Sequence, residues 1–181
     1  HFFDSVDQEV LLGFIKEKVS CEKVLKIIKE ILTSYSSNGS PKGIPLGNIT
    51  SQIFANIYLN KLDQYVKKEL RCRFYVRYND DLVVVSSDSK DLIKIKEKII
   101  VFVKQKLFLD IPLAKTSIRK ISWGVDFLGF TILPEAVMLR NKTKNKIYAN
   151  ISIKNAHSYL AILKHCNSYN LKTKIVAMEK I

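Results

Sequence analysis

Cysteine is scarce in this chain, and its distribution excludes two common ways of stabilising a small domain. The sequence contains only Cys21, Cys72 and Cys166, and none belongs to a Cys-x-x-Cys pair. An odd number of cysteines without paired spacing indicates neither a disulfide framework nor a zinc site. His157 and His165 lie near Cys166, but their spacing matches no metal-binding pattern. We therefore expect a reducing, cytoplasmic compartment.

Long apolar runs are also absent, although apolar residues are plentiful. The sequence shows no signal-peptide pattern and no apolar stretch long enough to span a membrane, so we expect no membrane partner. Hydrophobic residues make up 47% of the 181 residues, which is enough for a real core. The length fits one compact domain, or one and a fraction.

Acidic residues are rare toward the end of the chain. The formal net charge of the whole sequence is +13, which favours a polyanionic partner. From residue 139 onward, the single acid Glu179 stands against the cations Arg140, Lys142, Lys144, Lys146, Lys154, Lys164, Lys172, Lys174 and Lys180. Such one-sidedness favours contact with phosphates over a merely solvated surface. Lysines of residues 89–107 instead lie opposite apolar positions, as on an ordinary surface helix.

The most informative sequence is Tyr78-Asn79-Asp80-Asp81. Runs rich in β-branched and aromatic residues flank it, which predicts a β-hairpin with the acids at its tip. Adjacent carboxylates repel each other, so their presence suggests a compensating cation. Mg²⁺ suits such ligands, and two such ions support nucleotidyl transfer. The alternative is a turn chosen only for its turn propensity.

A glycine- and proline-containing loop precedes a predicted helix. Residues 43–52 read Gly-Ile-Pro-Leu-Gly-Asn-Ile-Thr-Ser-Gln. A Ser/Thr cap and apolar residues at helical spacing then predict a helix over residues 51–70. Glycines let a backbone approach a ligand closely, so this loop suits an incoming nucleotide or a template strand.

Together these motifs resemble a reverse transcriptase. Residues 43–52 resemble the family's template- and nucleotide-contacting motif, and residues 78–81 resemble its Tyr-x-Asp-Asp box. Residues 127–130, Phe-Leu-Gly-Phe after Trp123-Gly124, are similar to the primer-grip hairpin. Lys115-Thr116 occupies the place of the lysine motif between them. Four motifs stand in the family's order over most of the chain.

The resemblance implies a role for each matching residue. The catalytic and metal-binding carboxylates would be Asp80 and Asp81. Positions contacting nucleotide or template would be Phe3, Pro45, Leu46, Gly47, Gln52, Tyr78 and Lys115. The primer grip would be Phe127, Leu128 and Gly129, and the nucleic-acid backbone would meet Arg140, Lys142, Lys144, Lys146 and Lys164. The implied partners are template RNA, the cDNA or primer, dNTP and two Mg²⁺ ions.

The resemblance also implies the fold. It is an α+β reverse transcriptase palm, an antiparallel ferredoxin- or RRM-like sheet backed by helices, followed by the start of a helical thumb. We expect the palm over residues 1–133, and a basic connection with a partial thumb over residues 134–181. The family's fingers segments are expected to lie outside this sequence.

The first residues match only the end of a catalytic motif. Residues 1–7 resemble the end of the family pattern Asp-Ile-x-x-Phe-Phe, so the first catalytic Asp would fall just upstream of His1. Phe3 then matches the aromatic that, in this family, stacks under the sugar and excludes a 2′-OH. Asp7 is predicted to cap the next helix. We expect this chain to be inactive by itself.

The subtype depends on the loop motif. Leu46, where intron-encoded enzymes carry Gln, and Ser51-Gln52, in place of Ser-Pro, resemble reverse transcriptases of diversity-generating retroelements. That family is error-prone at template adenines, works with a small basic helical accessory protein, and is bacterial, archaeal or phage-encoded. The alternatives are a group II intron-type reverse transcriptase and maturase, a non-catalytic nucleic-acid-binding palm, and an unrelated ferredoxin-like structural domain.

The sequence also predicts the order of elements. We expect two helices, or one broken helix, within residues 5–35. The palm helix is expected over 51–70, a hairpin over 73–86 and a second palm helix over 89–107. Strands are expected around Trp123-Gly124 within residues 116–133. A basic hairpin is predicted over residues 136–151, and helices from about Ile153 onward.

Overall fold

The computed structural model describes residues 2–35, 41–45 and 49–178. It divides into two compact units, residues 1–118 and 119–181. Both helices and small antiparallel sheets are present, which confirms the predicted α+β class.

Helices form most of the first unit. They are α1 (Phe2–Ser5), α2 (Gln8–Lys16), α3 (Glu22–Thr33), α4 (Ile49–Gln64) and α5 (Ser89–Leu107). The helix α4 continues into a π-helical turn, Tyr65–Glu69. The carboxylate of Asp7 accepts hydrogen bonds from the backbone N–H groups of Glu9 and Val10, which confirms it as the cap of α2. The helices predicted for residues 5–35, 51–70 and 89–107 are confirmed.

The acidic hairpin is the sheet of this unit. Strands β1 (Phe74–Tyr78) and β2 (Asp81–Val85) pair antiparallel, with Tyr78 opposite Asp81. The turn contains Asn79, whose φ of 50° is a left-handed conformation that asparagine tolerates. The predicted hairpin over residues 73–86 is therefore confirmed.

One face of the hairpin packs on the core and the other faces solvent. Tyr75, Leu82 and Val84 contact the core, whereas Phe74 and Tyr78 are each 58% exposed. This alternation follows from the two-residue period of a strand.

The core of the first unit lies between α2, α4 and α5. Leu11, Tyr58, Val66 and Leu107 are fully buried, and burying an aliphatic side chain of this kind contributes about 1.5–3 kcal/mol. The hydroxyl of Tyr58 on α4 donates to the carbonyl of Leu107 at 2.6 Å. Burial raises the pKa of Tyr58 to about 12, so this donor stays protonated. The hydrogen bond joins the middle of α4 to the C-terminal end of α5.

The second unit has a three-stranded sheet and three helices. Strands β3 (Val125–Phe127), β4 (Phe130–Ile132) and β5 (Val137–Leu139) pair antiparallel in that order. Helices α6 (Asn141–Asn150), α7 (Ala156–Leu163) and α8 (Tyr169–Met178) follow. Their buried side chains Ile147, Leu163 and Ile175 form a separate core. The predicted helices after about Ile153 are confirmed. Strands were predicted around Trp123-Gly124, but they occur only after it, because Ile121–Trp123 forms a 3₁₀ turn.

The predicted basic hairpin over residues 136–151 is wrong. Residues 141–150 form the helix α6, and β5 pairs with the preceding strand β4 instead of with a strand that follows it. The helix buries Ile147 against the second core, which a solvent-exposed hairpin tip would not do. Packing outweighed the turn propensity of the Asn-Lys-Thr-Lys-Asn sequence.

The boundary between the units also differs from the expected one. Residue 133, the expected end of the palm, lies inside the second unit. The reason is that the β4–β5 pairing and a hydrogen bond from the N–H of Leu133 to the carbonyl of Ala136 cross that point.

Candidate active site

The two adjacent acids occupy the tip of the β1–β2 hairpin. Asp80 follows Asn79 in the turn, and Asp81 begins β2 opposite Tyr78. Both acids are exposed. Directly opposed residues of an antiparallel pair share a face, so Asp81 and Tyr78 lie together on the solvent-facing side of the hairpin. The tip therefore presents its carboxylates outward, away from the core.

A polar network lies behind the tip. The Nε and Nη2 atoms of Arg77 donate to the two carboxylate oxygens of Asp63 on α4 at 2.7 Å and 2.6 Å. Its Nη1 atom donates to the carbonyl of Asn79 at 2.7 Å and to the Oδ1 atom of Asn56 at 3.3 Å. The hydroxyl of Tyr75 also donates to Asp63 at 2.7 Å. The hairpin is thus joined to α4 by charge-assisted hydrogen bonds.

The hydrogen bonds and burial within this network shift the pKa values of its members. Burial raises the pKa of Asp63, but the hydrogen bonds from Arg77 and Tyr75 and the charge of Arg77 outweigh it, so the pKa lies below its usual range. The hydrogen bonds to Asp63 raise the pKa of Arg77. Burial and the bond to Asp63 raise the pKa of Tyr75. Asp63 is consequently an ionised acceptor already occupied by protein donors, whereas the acids of the tip face solvent.

The start of the glycine loop (residues 43–52) is hydrogen-bonded to the first residues of the chain. The N–H of Ile44 donates to the carbonyl of Phe3 at 2.9 Å, and the N–H of Gly43 donates to that of Val6 at 2.7 Å. The buried side chain of Gln8 donates to the carbonyls of Tyr35 and Gly43. The structure therefore brings the backbone of Phe3 next to the start of residues 43–52.

Glycine is required at position 43. Its φ is +99°, and a Cβ atom there would lie 2.9 Å from the Cε1 atom of Tyr35. A side chain would be strained by both the backbone and the ring. The loop can follow this path only without a Cβ atom.

The start of α4 holds the other end of the loop. The buried hydroxyl of Ser51 donates to the carbonyl of Pro45, and Gln52 is exposed. Leu46 and Gly47 lie outside the described residues, and their roles stay predictions. Asn56, which contacts Arg77, follows Ser51 by five residues, or about 7.5 Å along the helix axis. Helix α4 thus supports both the loop and the hairpin.

A cavity of about 560 Å³ lies beside the network. Its lining combines residues of α2 and α4 with Arg77, and includes neither Asp80 nor Asp81. Among the described residues, no group of three or more His, Cys, Asp or Glu side chains is placed to hold a metal ion.

The remaining predicted contacts occupy two other segments. Lys115 is exposed on a 3₁₀ turn, Leu113–Lys115, of the first unit. In the second unit, Leu128 and Gly129 form the two-residue turn between β3 and β4, with φ of 51° and 85°. Positive φ at both positions is typical of a type I′ hairpin. The segment that resembles the primer grip is therefore a tight hairpin.

The predicted backbone-binding cations lie on the surface of the second unit. Lys142, Lys144, Lys146 and Lys164 are exposed. Arg140 is also exposed but pairs with Asp126 at 3.1 Å. The sequence interpretation missed the aromatic rings among these cations: the Nζ atom of Lys174 lies 5.1 Å from the ring of Tyr148. The interleaving of aromatic and basic residues along the chain was the signal that could have found them.

The interpretation also missed Asp63 and Arg77. Arg77 directly precedes the Tyr-x-Asp-Asp box, so the strand period places it on the inward face, where a cation needs an acidic partner. That signal was present in the sequence. The identity of the partner was not, because Asp63 is fourteen positions away on another element.

Comparison with known proteins agrees with this α+β palm architecture. Residues 1–132 match the family described as reverse transcriptase (RNA-dependent DNA polymerase). The chain therefore belongs to the reverse transcriptase family.

Its curated relatives include proteins associated with introns. The chain is 24% identical to the group II intron-encoded protein LtrA of Lactococcus lactis, over 72% of this chain and 33% of that protein. It is 24% identical to the mitochondrial nuclear intron maturase 3 of Arabidopsis thaliana, over 81% of this chain and 25% of that protein. A putative COX1/OXI3 intron 2 protein of Saccharomyces cerevisiae is 21% identical over 72% of this chain and 22% of its own length. The chain thus spans a third or less of these relatives. Within the described ranges, no helix has the length and apolar character that crossing a membrane requires.

Proposed function

We propose that this chain supplies the palm of a group II intron-type reverse transcriptase, an RNA-directed DNA polymerase that copies template RNA into cDNA. The observation that carries the proposal is the exposed Asp80-Asp81 tip, held to α4, in a chain of the reverse transcriptase family. The intron-encoded relatives favour this type over the other candidates.

The tip carboxylates fit Mg²⁺. This ion binds through one or two carboxylates and leaves positions for substrate phosphates, and two exposed acids offer that donor set. Asp80 and Asp81 would hold it, together with the Asp predicted upstream of His1. When bound, Mg²⁺ would neutralise charge on the triphosphate and on the attacking hydroxyl.

The chain's own residues would bind and orient the nucleotide. The backbone carbonyl of Phe3 accepts a hydrogen bond from Ile44, so the backbone of Phe3 lies next to the start of the loop proposed to meet the nucleotide. Gly43 lets the backbone follow that path, and Ser51 connects the loop to α4. The aromatic would discriminate against a 2′-OH by shape.

The second unit would contact the duplex. Its exposed lysines on α6 offer cations that can meet phosphates without reading base sequence, as needed to hold any template and primer. The β3–β4 hairpin turn at Leu128 and Gly129 would contact the primer strand.

The experiment compares Asp80→Asn and Asp81→Asn with Asp110→Asn in the full-length product of the gene that encodes this chain. Asp110 is a fitting control because its exposed carboxylate lies 3.9 Å from Lys104 and far along the chain from the tip. We expect primer extension to fall by about 10²- to 10³-fold in the tip variants and to be unchanged in the control. RNA binding, measured by fluorescence anisotropy, should stay near wild type in all three. Wild-type extension by both tip variants would contradict the proposal.

The second candidate is the error-prone enzyme of a diversity-generating retroelement, with a small basic helical accessory protein as partner. The sequence observation that favours it is Leu46 between Pro45 and Gly47, where a Gln amide would report on base-pair geometry. Leu46→Gln should then lower misincorporation opposite template adenines several-fold, since a hydrogen bond supplies on the order of 1 kcal/mol of discrimination. Equal error spectra on one RNA template would leave the intron type as the better proposal.

A further inference from the structure

Arg77 is the link between the catalytic tip and the body of the first unit. Its side chain is 9% exposed, although the acids three and four residues later face solvent. Three of its nitrogens contact groups on two elements: the Asp63 carboxylate and the Asn56 amide on α4, and the carbonyl of Asn79 in the turn.

The bond to Asn79 has a specific geometric effect. The carbonyl of Asn79 and the N–H of Asp80 belong to one planar peptide unit. A donor 2.7 Å from that carbonyl therefore fixes the plane from which the Asp80 side chain departs. Asn79 is at φ 50°, in a sparsely populated region, so the turn gains from a bond that holds this conformation.

The Asp63 carboxylate holds the guanidinium in the required orientation. A planar guanidinium can donate two parallel bonds to a carboxylate and still direct another N–H elsewhere. Tyr75 donates to the same carboxylate from β1, so the acceptor itself is held by two residues of the hairpin. A lysine could satisfy the charge of Asp63, but its single ammonium could not reproduce this fork.

We propose that Arg77 is a positioning residue, which orients the Asn79–Asp80 peptide against α4. Asp63 holds its guanidinium, and Tyr75 in turn holds the Asp63 carboxylate. The simpler alternative is an ion pair that only stabilises the packing of β1 on α4. The two differ in the expected behaviour of Arg77→Lys: charge pairing survives, whereas the bond to Asn79 is lost. The catalytic consequence rests on the proposed function; the effect on the turn does not.

The first test measures order in the turn of this chain by ¹⁵N relaxation. In Arg77→Lys, the order parameters of Asn79 and Asp80 should fall from the rigid range near ~0.85 to below ~0.6, while those of Tyr75 and Val84 stay rigid. The matched control is Arg73→Lys, an exposed arginine just before the same hairpin, which should leave the turn unchanged. Unchanged order at Asn79 and Asp80 in Arg77→Lys would overturn the proposal.

A milder variant is available should Arg77→Lys not fold. Tyr75→Phe removes one donor to Asp63 and leaves the arginine in place. Lower order parameters at the turn, with β1 and β2 intact, would support the proposal. A turn as ordered as in the wild type would overturn it.

The second test measures catalysis in the full-length gene product. Arg77→Lys should lower kcat for primer extension by about 10- to 100-fold, because small misplacements of a reacting group are costly. The KM for dNTP should stay within about twofold, since the Arg77 side chain is 9% exposed and its three nitrogens are bonded to protein acceptors. A wild-type kcat with a disordered turn would overturn the positioning role. Retained extension by Asp80→Asn would instead contradict the proposed function, and the relaxation measurement would still decide the role of Arg77.

Discussion

The two units use charge in opposite ways. In the first, Arg77 and Asp63 are largely covered by protein and form hydrogen bonds with three neighbours, Tyr75, Asn79 and Asn56, so their charges hold one element against another. In the second, the lysines of α6 are exposed, and a cation such as Lys174 lies over an aromatic ring. Covered charges in the first unit contribute to local structure, whereas exposed charges in the second are available to a polyanion.

The largest effect on stability is expected from Arg77→Ala. It leaves the ionised, partly covered carboxylate of Asp63 without its principal partner, which should lower the free energy of unfolding by about 2–3 kcal/mol. Urea denaturation of this chain measures the change. The matched change in the second unit, Lys144→Ala, should alter stability by no more than about 0.5 kcal/mol. Equal losses would contradict the contrast between the units.

Glycine substitution should separate strain from helix propensity. Gly43→Ala places a Cβ atom against Tyr35 at positive φ and should cost about 1–2 kcal/mol. Gly13→Ala, within α2, meets nothing within 4 Å and should stabilise by about 0.5–1 kcal/mol. The thermal unfolding midpoint of each variant measures the two effects. If both midpoints shifted in the same direction, the loop would not have the positive-φ conformation described at Gly43.

The pH dependence of stability provides a smaller effect. The folded pKa of Asp63 is depressed, so its contribution is present above the ordinary value of about 3.9 and is lost as pH falls toward the lower folded pKa. The stability difference between wild type and Asp63→Asn should therefore shrink as the pH is lowered from about 5 through this window. A difference that is constant over that range would show that Asp63 is not held ionised by Arg77.

Replacing the lysines of α6 is expected to change the free energy of unfolding least of all, but to weaken binding to RNA. Replacing Lys142, Lys144 and Lys146 by Ala should flatten the slope of log affinity against log salt by about 2–3, equally for unrelated RNA sequences. The corresponding change at Lys90, Lys94 and Lys98 of α5 should leave the slope unchanged. An unaltered slope in the α6 variant would assign these lysines to an ordinary solvated surface.

Elements with a clear local pattern were predictable. The helix over residues 89–107 carries its apolar positions at helical spacing, and the structure gives Ser89–Leu107. The acidic hairpin was equally predictable, because β-branched runs flank a turn sequence that suits its dihedral angles. The proximity of Phe3 to the loop was not predictable from local pattern, since a hydrogen bond between Ile44 and Phe3 has no sequence signature.

By itself, the amino-acid sequence determined the helices of the first unit, the family, and the placement of two acids on one hairpin tip. Periodicity, turn propensity and motif order specify these features because they are local along the chain. Only the tertiary structure decided the rest. Asn141-Lys142-Thr143-Lys144-Asn145 has the composition of a turn, yet it belongs to a helix because Ile147 is buried on a core built from distant residues. Arg77 became a link between tip and helix because folding brought Asp63 and Asn79 within hydrogen-bonding distance of one guanidinium. Burial and pairing of this kind depend on contacts between residues far apart in sequence, which no local pattern specifies.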